Sequence, residues 1–304
     1  MLLYLQPLNL IHPFMHRILY YTVLPLFWSI SLLPISVLYL FSDFLYFIIY
    51  IVLGYRKKVV QENLNNAFPE KSTQEKNQIM RDFYHYLCDL LVEVLKGASM
   101  TREQYEQRWT ADAREVKKIH AQNRSSIFIL GHFGNWEAAA PVCTFYCNYR
   151  VNIIYKSIAN NYFEDLVNKI RTRFNNKVTP MDKILRQMLK DKNEPIAYAF
   201  VSDQSPSPKN AYWMNFLNQD TAVFTGVEKI AQKLNIPVIY ISVQRKKRGY
   251  YHIQPTVLFE NPKDTQEGEI MHAFMKHLEQ DINKNPAYWI WSHKRWKHKR
   301  EQQA

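Results

Sequence analysis

Gly131-His132-Phe133-Gly134-Asn135-Trp136-Glu137 holds the residues best suited to chemistry. An imidazole can take or give a proton near neutral pH, and a carboxylate bonded to one ring nitrogen fixes its tautomer and raises the basicity of the other. His132 and Glu137 are five residues apart. On one helix they would point about 140° apart and could not meet. If His132 instead ends a strand and Glu137 lies in the first turn of a following helix, the turn can fold the carboxylate back onto the imidazole. Asn135 then stands where a helix N-cap belongs. Two of the chain's seven glycines lie in this stretch, where a backbone must turn sharply or pass close to a ligand. The competing reading is a core histidine near a capping glutamate. The paired glycines at a strand-to-helix junction favour a site.

Other candidates are spread along the chain. Asp203-Gln204-Ser205-Pro206 follows the apolar run Ala199-Phe200-Val201, so Asp203 sits where open α/β sheets bind ligands. An ordinary Asx-turn before proline explains it equally well. Arg171 and Arg173 lie about 200° apart on a predicted helix, so at most one can face a site. The C-terminus interleaves tryptophans with bases from Tyr288 to Arg300, including His293 and Arg295. Such a segment suits nucleic acid, an anionic membrane surface or a phosphorylated glycolipid. Cys88, Cys143 and Cys147 form no paired framework, and they read as core or free thiols rather than metal ligands.

The elements that must position these residues follow from periodicity. Ile127 to Leu130 reads as a buried strand, and the alanines after Glu137 as helix. Strands are predicted over 151–155, 195–202, 237–244 and 251–259. Helices are predicted over 58–67, 161–174, 182–190, 225–234 and 266–283. Ser72 to Glu75 forms a capping box opening a helix to about Gly97, and Thr101 to Gln104 opens a shorter one. Alternation of this kind predicts an α/β fold with a mixed, largely parallel sheet flanked by helices. Residues 18–42 carry no charge, enough length to cross a bilayer, although Pro25 and Pro34 interrupt the run. A second uncharged run covers 44–55. Arg17 precedes these runs, and Arg56, Lys57, Lys58 and Lys71 follow, a bias that places the rest of the chain in the cytoplasm. The organisation read is therefore a membrane anchor over 1–57 and one large catalytic domain over 58–304. A net charge of +12 implies an acidic partner, and a 14% aromatic content suits an interfacial protein.

Gly-His-x-Gly-Asn-Trp-Glu and Trp291-Ser292-His293-Lys294-Arg295-Trp296-Lys297, with Asp203 between them, resemble the lipid A late acyltransferases, the lauroyl/myristoyl branch of the glycerolipid acyltransferase-like superfamily. The Asn-rich stretch before Phe68-Pro69 is similar to the same family. The resemblance implies a membrane-anchored enzyme moving a fatty acyl chain from an acyl thioester, on acyl carrier protein or coenzyme A, to a hydroxyl of a lipid A precursor. It places the enzyme at the cytoplasmic side of the inner membrane, in lipopolysaccharide biosynthesis. It implies His132 as base and Glu137 as its orienting carboxylate. Asp203, Arg171, Lys156, Asn135, His293 and Arg295 are then substrate-binding. No bound cofactor or metal is expected, and no nucleic acid. Two departures stand out. Lys156-Ser157 replaces an Arg-Pro pair, which keeps the charge and loses bidentate geometry. Phe216-Leu217-Asn218 replaces Phe-x-Gly, which leaves the acyl-chain length the pocket measures open.

Two alternatives stay open at this level. The same chemistry fits another acceptor, such as an amino-acid lipid, another glycolipid or an aryl-polyene-type lipid. A membrane-tethered nucleic-acid-binding module would use the C-terminal tail and have no need of the histidine–glutamate pair.

Overall fold

The computed structural model describes residues 13–300, apart from 159, 192, 209 and 210, with side chains from Tyr20 onward; Arg17's side chain lies outside the described residues. The chain runs α1 (Pro13–Leu32), α2 (Ile35–Tyr46), a π-helical extension (Phe47–Val52), α3 (Lys57–Ala67), α4 (Thr73–Gly97), α5 (Arg102–Glu106), β1 (Trp109–Ala111), α6 (Arg114–Ala121) and β2 (Ser126–Leu130). After the His132 turn come α7 (Ala139–Cys147), β3 (Arg150–Tyr155), α8 (Asn161–Arg171), β4 (Lys177–Pro180), α9 (Ile184–Lys190) and β5 (Ile196–Val201). The remainder is β6 (Tyr212–Phe216), β7 (Gln219–Val223), α10 (Gly226–Leu234), β8 (Val238–Lys247), β9 (Tyr250–Phe259) and α11 (Glu269–Lys284).

Seven strands form one sheet in the order β1-β9-β8-β2-β5-β3-β4, and β6 and β7 form a separate antiparallel hairpin. Every pairing in the large sheet is parallel except β8 with β9. The α/β fold with a mixed, largely parallel sheet is as the alternation predicts. β2 lies at the centre between β5 and β8, and all five of its residues are buried. A strand covered on both faces must read as a continuous apolar run, which is why Ile127 to Leu130 is legible as one. Both capping boxes form, Ser72 with Glu75 and Thr101 with Gln104.

Three elements lack a sequence signal. β1 and β4 are three and four residues long. The β6–β7 hairpin turns at Leu217 and Asn218, both with positive φ, 50° and 61°. Asparagine tolerates that region better than other non-glycine residues, so Asn218 takes the place of the glycine the family pattern carries. Its amide donates to the Ala67 carbonyl at 3.0 Å, so this departure shapes a turn against the end of α3.

The N-terminus differs from the expectation of one charge-free span over 18–42. The run breaks at Leu33–Pro34. Pro34 disfavours helical backbone in the residue before it and starts α2 without an N–H to place. Among the described residues, the one helix long and apolar enough to cross a membrane is Ile35–Val52. It contains Asp43.

A buried polar cluster ties α2, α4 and the β8–β9 hairpin together. Asp89 on α4 accepts from Ser42 Oγ at 2.7 Å, Arg245 Nη2 at 2.5 Å and Arg248 Nη2 at 2.6 Å. Removing one partner of a buried ion pair leaves an uncompensated charge. Asp89→Ala should therefore lower the unfolding free energy by about 3 kcal/mol. Glu106→Ala, which breaks an exposed pair with Arg102, should change it by less than about 1 kcal/mol. Chemical denaturation of both variants checks the contrast.

Candidate active site

β2 and β5 are parallel neighbours, so the residues just past their C-terminal ends share one edge of the sheet. His132 follows β2, and Asp203 follows β5. The Ser202 N–H donates to the Leu130 carbonyl at 3.0 Å, which brings the two chain segments together. One Asp203 oxygen then accepts from the His132 backbone N–H at 2.8 Å, and the other lies 2.5 Å from His132 Nδ1. Trp289 Nε1 donates to the first oxygen at 2.8 Å. Asp203 is 1% exposed. Burial works against its charge, but the His132 imidazole and the hydrogen bonds from His132 and Trp289 win, and its carboxyl is held down to about 2.

The carboxylate that orients His132 is thus that of Asp203, not Glu137 as the spacing suggested. Trp136, Glu137 and Ala138 form a single 3₁₀ turn before α7, and that turn carries Glu137 toward α8. There Arg171 grips it with two nitrogens, Nη2 at 2.8 Å and Nε at 3.2 Å. Burial raises the Glu137 carboxyl and the Arg171 guanidinium overrides it, so the group lies below its usual range. Arg173, two residues on, donates instead to the Gly97 carbonyl. One arginine of the two faces the site, and it is Arg171.

Asn135 does cap the turn, accepting from the Ala138 N–H at 3.2 Å. Its Nδ2 donates to Glu93 at 2.9 Å, and the side chain is buried. Both ends of the amide are occupied by the protein, so the expected substrate contact is replaced by a structural one. Gly131 is closely packed and Gly134 is required. A Cβ on Gly131 would lie 2.7 Å from Leu278 of α11. Gly134 has φ +57°, and a Cβ there would strike the Val243 carbonyl. The Gly134 carbonyl accepts from Tyr86 Oη at 2.6 Å, and its N–H donates to the Tyr288 carbonyl at 3.0 Å. That N–H is therefore engaged within the protein.

The C-terminal segment is a wall of the site and not a tail. Trp289, Trp291 and Arg295 are buried, and Asn63 of α3 holds the Trp291 and His293 carbonyls. Trp289 and Trp291, packed in this way, offer no stacking platform for bases. Arg295 Nη1 donates to Ser205 Oγ at 3.3 Å, while its Nε and Nη2 are buried without a partner. Burial pulls its guanidinium down to about 10, with the Asp203 charge opposing. His293 is close enough to feel the charges of Asp203 and His132, and burial pushes its imidazole down to about 4. Lys156 stands exposed just past β3, on the same sheet edge, and touches none of these groups. Among the described residues no cluster of acids, histidines and cysteines could hold a metal ion.

Two residues of the site carried no sequence signal. Trp289 is one. Gln204 is the other, with Nε2 lying 3.0 Å from His132 Nε2. An amide N–H donating there, with Asp203 on the opposite nitrogen, fits the imidazole with its proton on Nδ1 and a lone pair on Nε2. This is the state a general base requires.

His293 gives a pH prediction. Its folded-state value lies below that of the unfolded chain, about 6.5, so the unfolded state binds the extra proton. Stability should fall as pH drops from about 6.5 to about 4 and lose nothing further from this group below that. Asp203 adds a second loss below about pH 4, as the solution falls through its depressed value. Denaturation at pH 7 and pH 4.5 should show a smaller drop for His293→Gln than for the wild type.

The match to a family model for bacterial lipid A biosynthesis acyltransferases covers residues 12–298, from α1 through the buried C-terminal segment. No individually curated protein matches the chain. A match of that extent takes in the His132 turn, Asp203 and the tryptophan wall together, and the chain belongs to the bacterial lipid A biosynthesis acyltransferase family.

Proposed function

We propose that this acyltransferase moves a fatty acyl chain from an acyl carrier protein thioester to a hydroxyl of a lipid A precursor, at the cytoplasmic face of the inner membrane. The observation that carries the reading is the His132 imidazole, fixed by Asp203 on one side and offering a lone pair on the other. Gln204 gives way to the acceptor hydroxyl, which takes its place against Nε2. His132 removes the hydroxyl proton as the oxygen attacks the thioester carbonyl. Asp203 holds the ring and stabilises the imidazolium, the part a buried aspartate plays in a serine protease triad. The tetrahedral intermediate collapses, the carbon–sulfur bond breaks, and the imidazolium returns its proton to the departing thiolate. No serine or cysteine nucleophile is needed, so transfer is direct.

Arg295 is the group we assign to the developing oxyanion. Its unpartnered nitrogens lie in a dry setting where a donor is worth far more than in water. Glu137 fixes Arg171 beside the site and adds a negative charge that favours the imidazolium, a lesser role than contact would give. Lys156 and the net positive charge draw in the acidic carrier and the phosphates of the acceptor. The apolar N-terminal helices keep the enzyme at the membrane where both acyl chains reside.

Acyl transfer from labelled carrier-protein thioester to a lipid A precursor tests the scheme. Wild type should give product, and His132→Ala should give none above background. Asp203→Asn should lose about 10³- to 10⁴-fold in kcat, whereas Glu137→Gln should lose less than Asp203→Asn. Transfer to a different membrane lipid, with the same dependence on His132, would keep the chemistry and move the acceptor. Transfer that survives His132→Ala would end the mechanism.

A further inference from the structure

We infer that α1 and α2 lie along the surface of a membrane, embedded in one leaflet, and do not cross it. The inference rests on the membrane-associated reading above and concerns how that association is built. Length alone permits a crossing. Ile35–Val52 would extend about 27 Å, close to the hydrocarbon thickness of about 30 Å. The way the helix is docked does not permit it.

α2 and its π-helical extension run antiparallel to α4, in contact along nearly their whole length. Tyr39 Oη donates to Glu93 at 2.8 Å, and Ser42 Oγ donates to Asp89 at 2.7 Å. Tyr46 stacks on His85 with ring centroids 3.5 Å apart, and Tyr50 packs on Tyr84 at 5.0 Å. As the numbers rise along α2 they fall along α4, so each level of one helix is matched to a level of the other. A bilayer-spanning α2 would carry Asp82, His85, Asp89 and Glu93 into the hydrocarbon core with it. α4 is also packed into the catalytic domain, since Tyr86 holds the Gly134 carbonyl and Glu93 holds Asn135. The crossing would therefore drag the active site into the bilayer.

Asp43 makes the same point. It falls at the middle of Ile35–Val52, which in a crossing is the midplane, where a charge is most costly. Here it pairs with Arg248 of the β8–β9 turn at 2.6 Å, with its side chain still 48% exposed. α1 is pinned at its middle and near its C-terminal end. Tyr20 packs on Tyr162 of α8 at 5.3 Å, and the Ser31 carbonyl accepts from Lys96 of α4 at 3.0 Å. These two contacts hold the second half of α1 against the domain.

The faces turned outward are apolar. Leu26, Leu32, Leu40, Phe44, Phe47 and Leu53 are between 51% and 70% exposed. From residue 18 to 55 the only charged residue is Asp43, which Arg248 claims. So large an apolar surface on a folded domain needs a cover. A lipid leaflet supplies one without any charge partner on α1 or α2. The +12 charge and the Arg56-Lys57-Lys58 run beyond the helix add attraction to anionic headgroups.

Impermeant maleimide labelling tests this in the full chain. All three native cysteines are buried, so single introduced cysteines can be read. Ser36→Cys lies at the start of the apolar stretch, Lys58→Cys just past its end, and Lys299→Cys on the domain; all three positions are exposed. In sealed inner-membrane vesicles of either orientation, all three should react from the same face. Ser36→Cys reacting from the face opposite Lys58→Cys, or from neither face, overturns the inference while leaving membrane association intact. Phe44→Glu should weaken partition into phosphatidylglycerol–phosphatidylethanolamine vesicles at least about tenfold with little change in thermal stability. Unchanged partition overturns the inference as well. Wild-type protein found wholly in the soluble fraction would instead overturn the membrane reading itself.

Discussion

The site rests on one desolvated carboxylate. Asp203 is buried and still ionised because the His132 backbone N–H, the His132 ring and the Trp289 indole all face it. Two of the donors belong to His132, just past β2, and the third to Trp289 in the segment after α11. A buried charge with its donors in place is tolerable, and the same charge with one donor missing is costly. The constraint therefore runs outward. β2 and β5 must be parallel neighbours, Gly131 must admit Leu278, and the C-terminal tryptophans must fold back over the sheet edge. A protein that meets these demands also fixes the His132 ring between Asp203 and Gln204.

A second polar cluster holds the turn after His132 from behind. Glu93 accepts from Tyr39, Asn135 and Tyr251, and so connects α2, the turn after His132 and β9. Asp89 gathers Ser42, Arg245 and Arg248 one turn along α4. These two acids make α4 a keel between the N-terminal helices and the active site. Whatever surface α1 and α2 rest on is thereby fixed relative to His132. On the proposed function such a rigid link would set the height at which the acceptor hydroxyl must arrive.

Much of this was legible because it is local. The strand, the glycine turn and the N-cap of 126–138 are written within a dozen residues, and both capping boxes within four. Asp203 was legible as a strand-end residue, whereas helix geometry said only that one arginine of Arg171 and Arg173 could face inward, and the resemblance pointed to Arg171. The pairing itself was not. Glu137 is five residues from His132, and Asp203 is 71 away, so chain distance pointed to the wrong carboxylate. Sheet adjacency and the direction of one 3₁₀ turn decided it, and neither is encoded near the histidine. The tryptophan–base alternation of the C-terminus misled for a related reason. Composition described a wet surface, whereas Trp289 and Trp291 are buried and only interleaved residues such as Lys294 and Lys297 reach solvent. The Leu217-Asn218 turn escaped because a two-residue hairpin without glycine carries a weak signal.

Nitrogen-15 NMR of the histidine side chains tests the central claim most directly, since it reports which carboxylate holds His132. The account predicts a His132 ring with its proton on Nδ1, Nε2 as the accepting nitrogen, and a strongly downfield Nδ1 proton. That proton should vanish in Asp203→Asn and persist in Glu137→Gln. A signal that survives Asp203→Asn and disappears in Glu137→Gln would contradict the account and return the orienting role to Glu137.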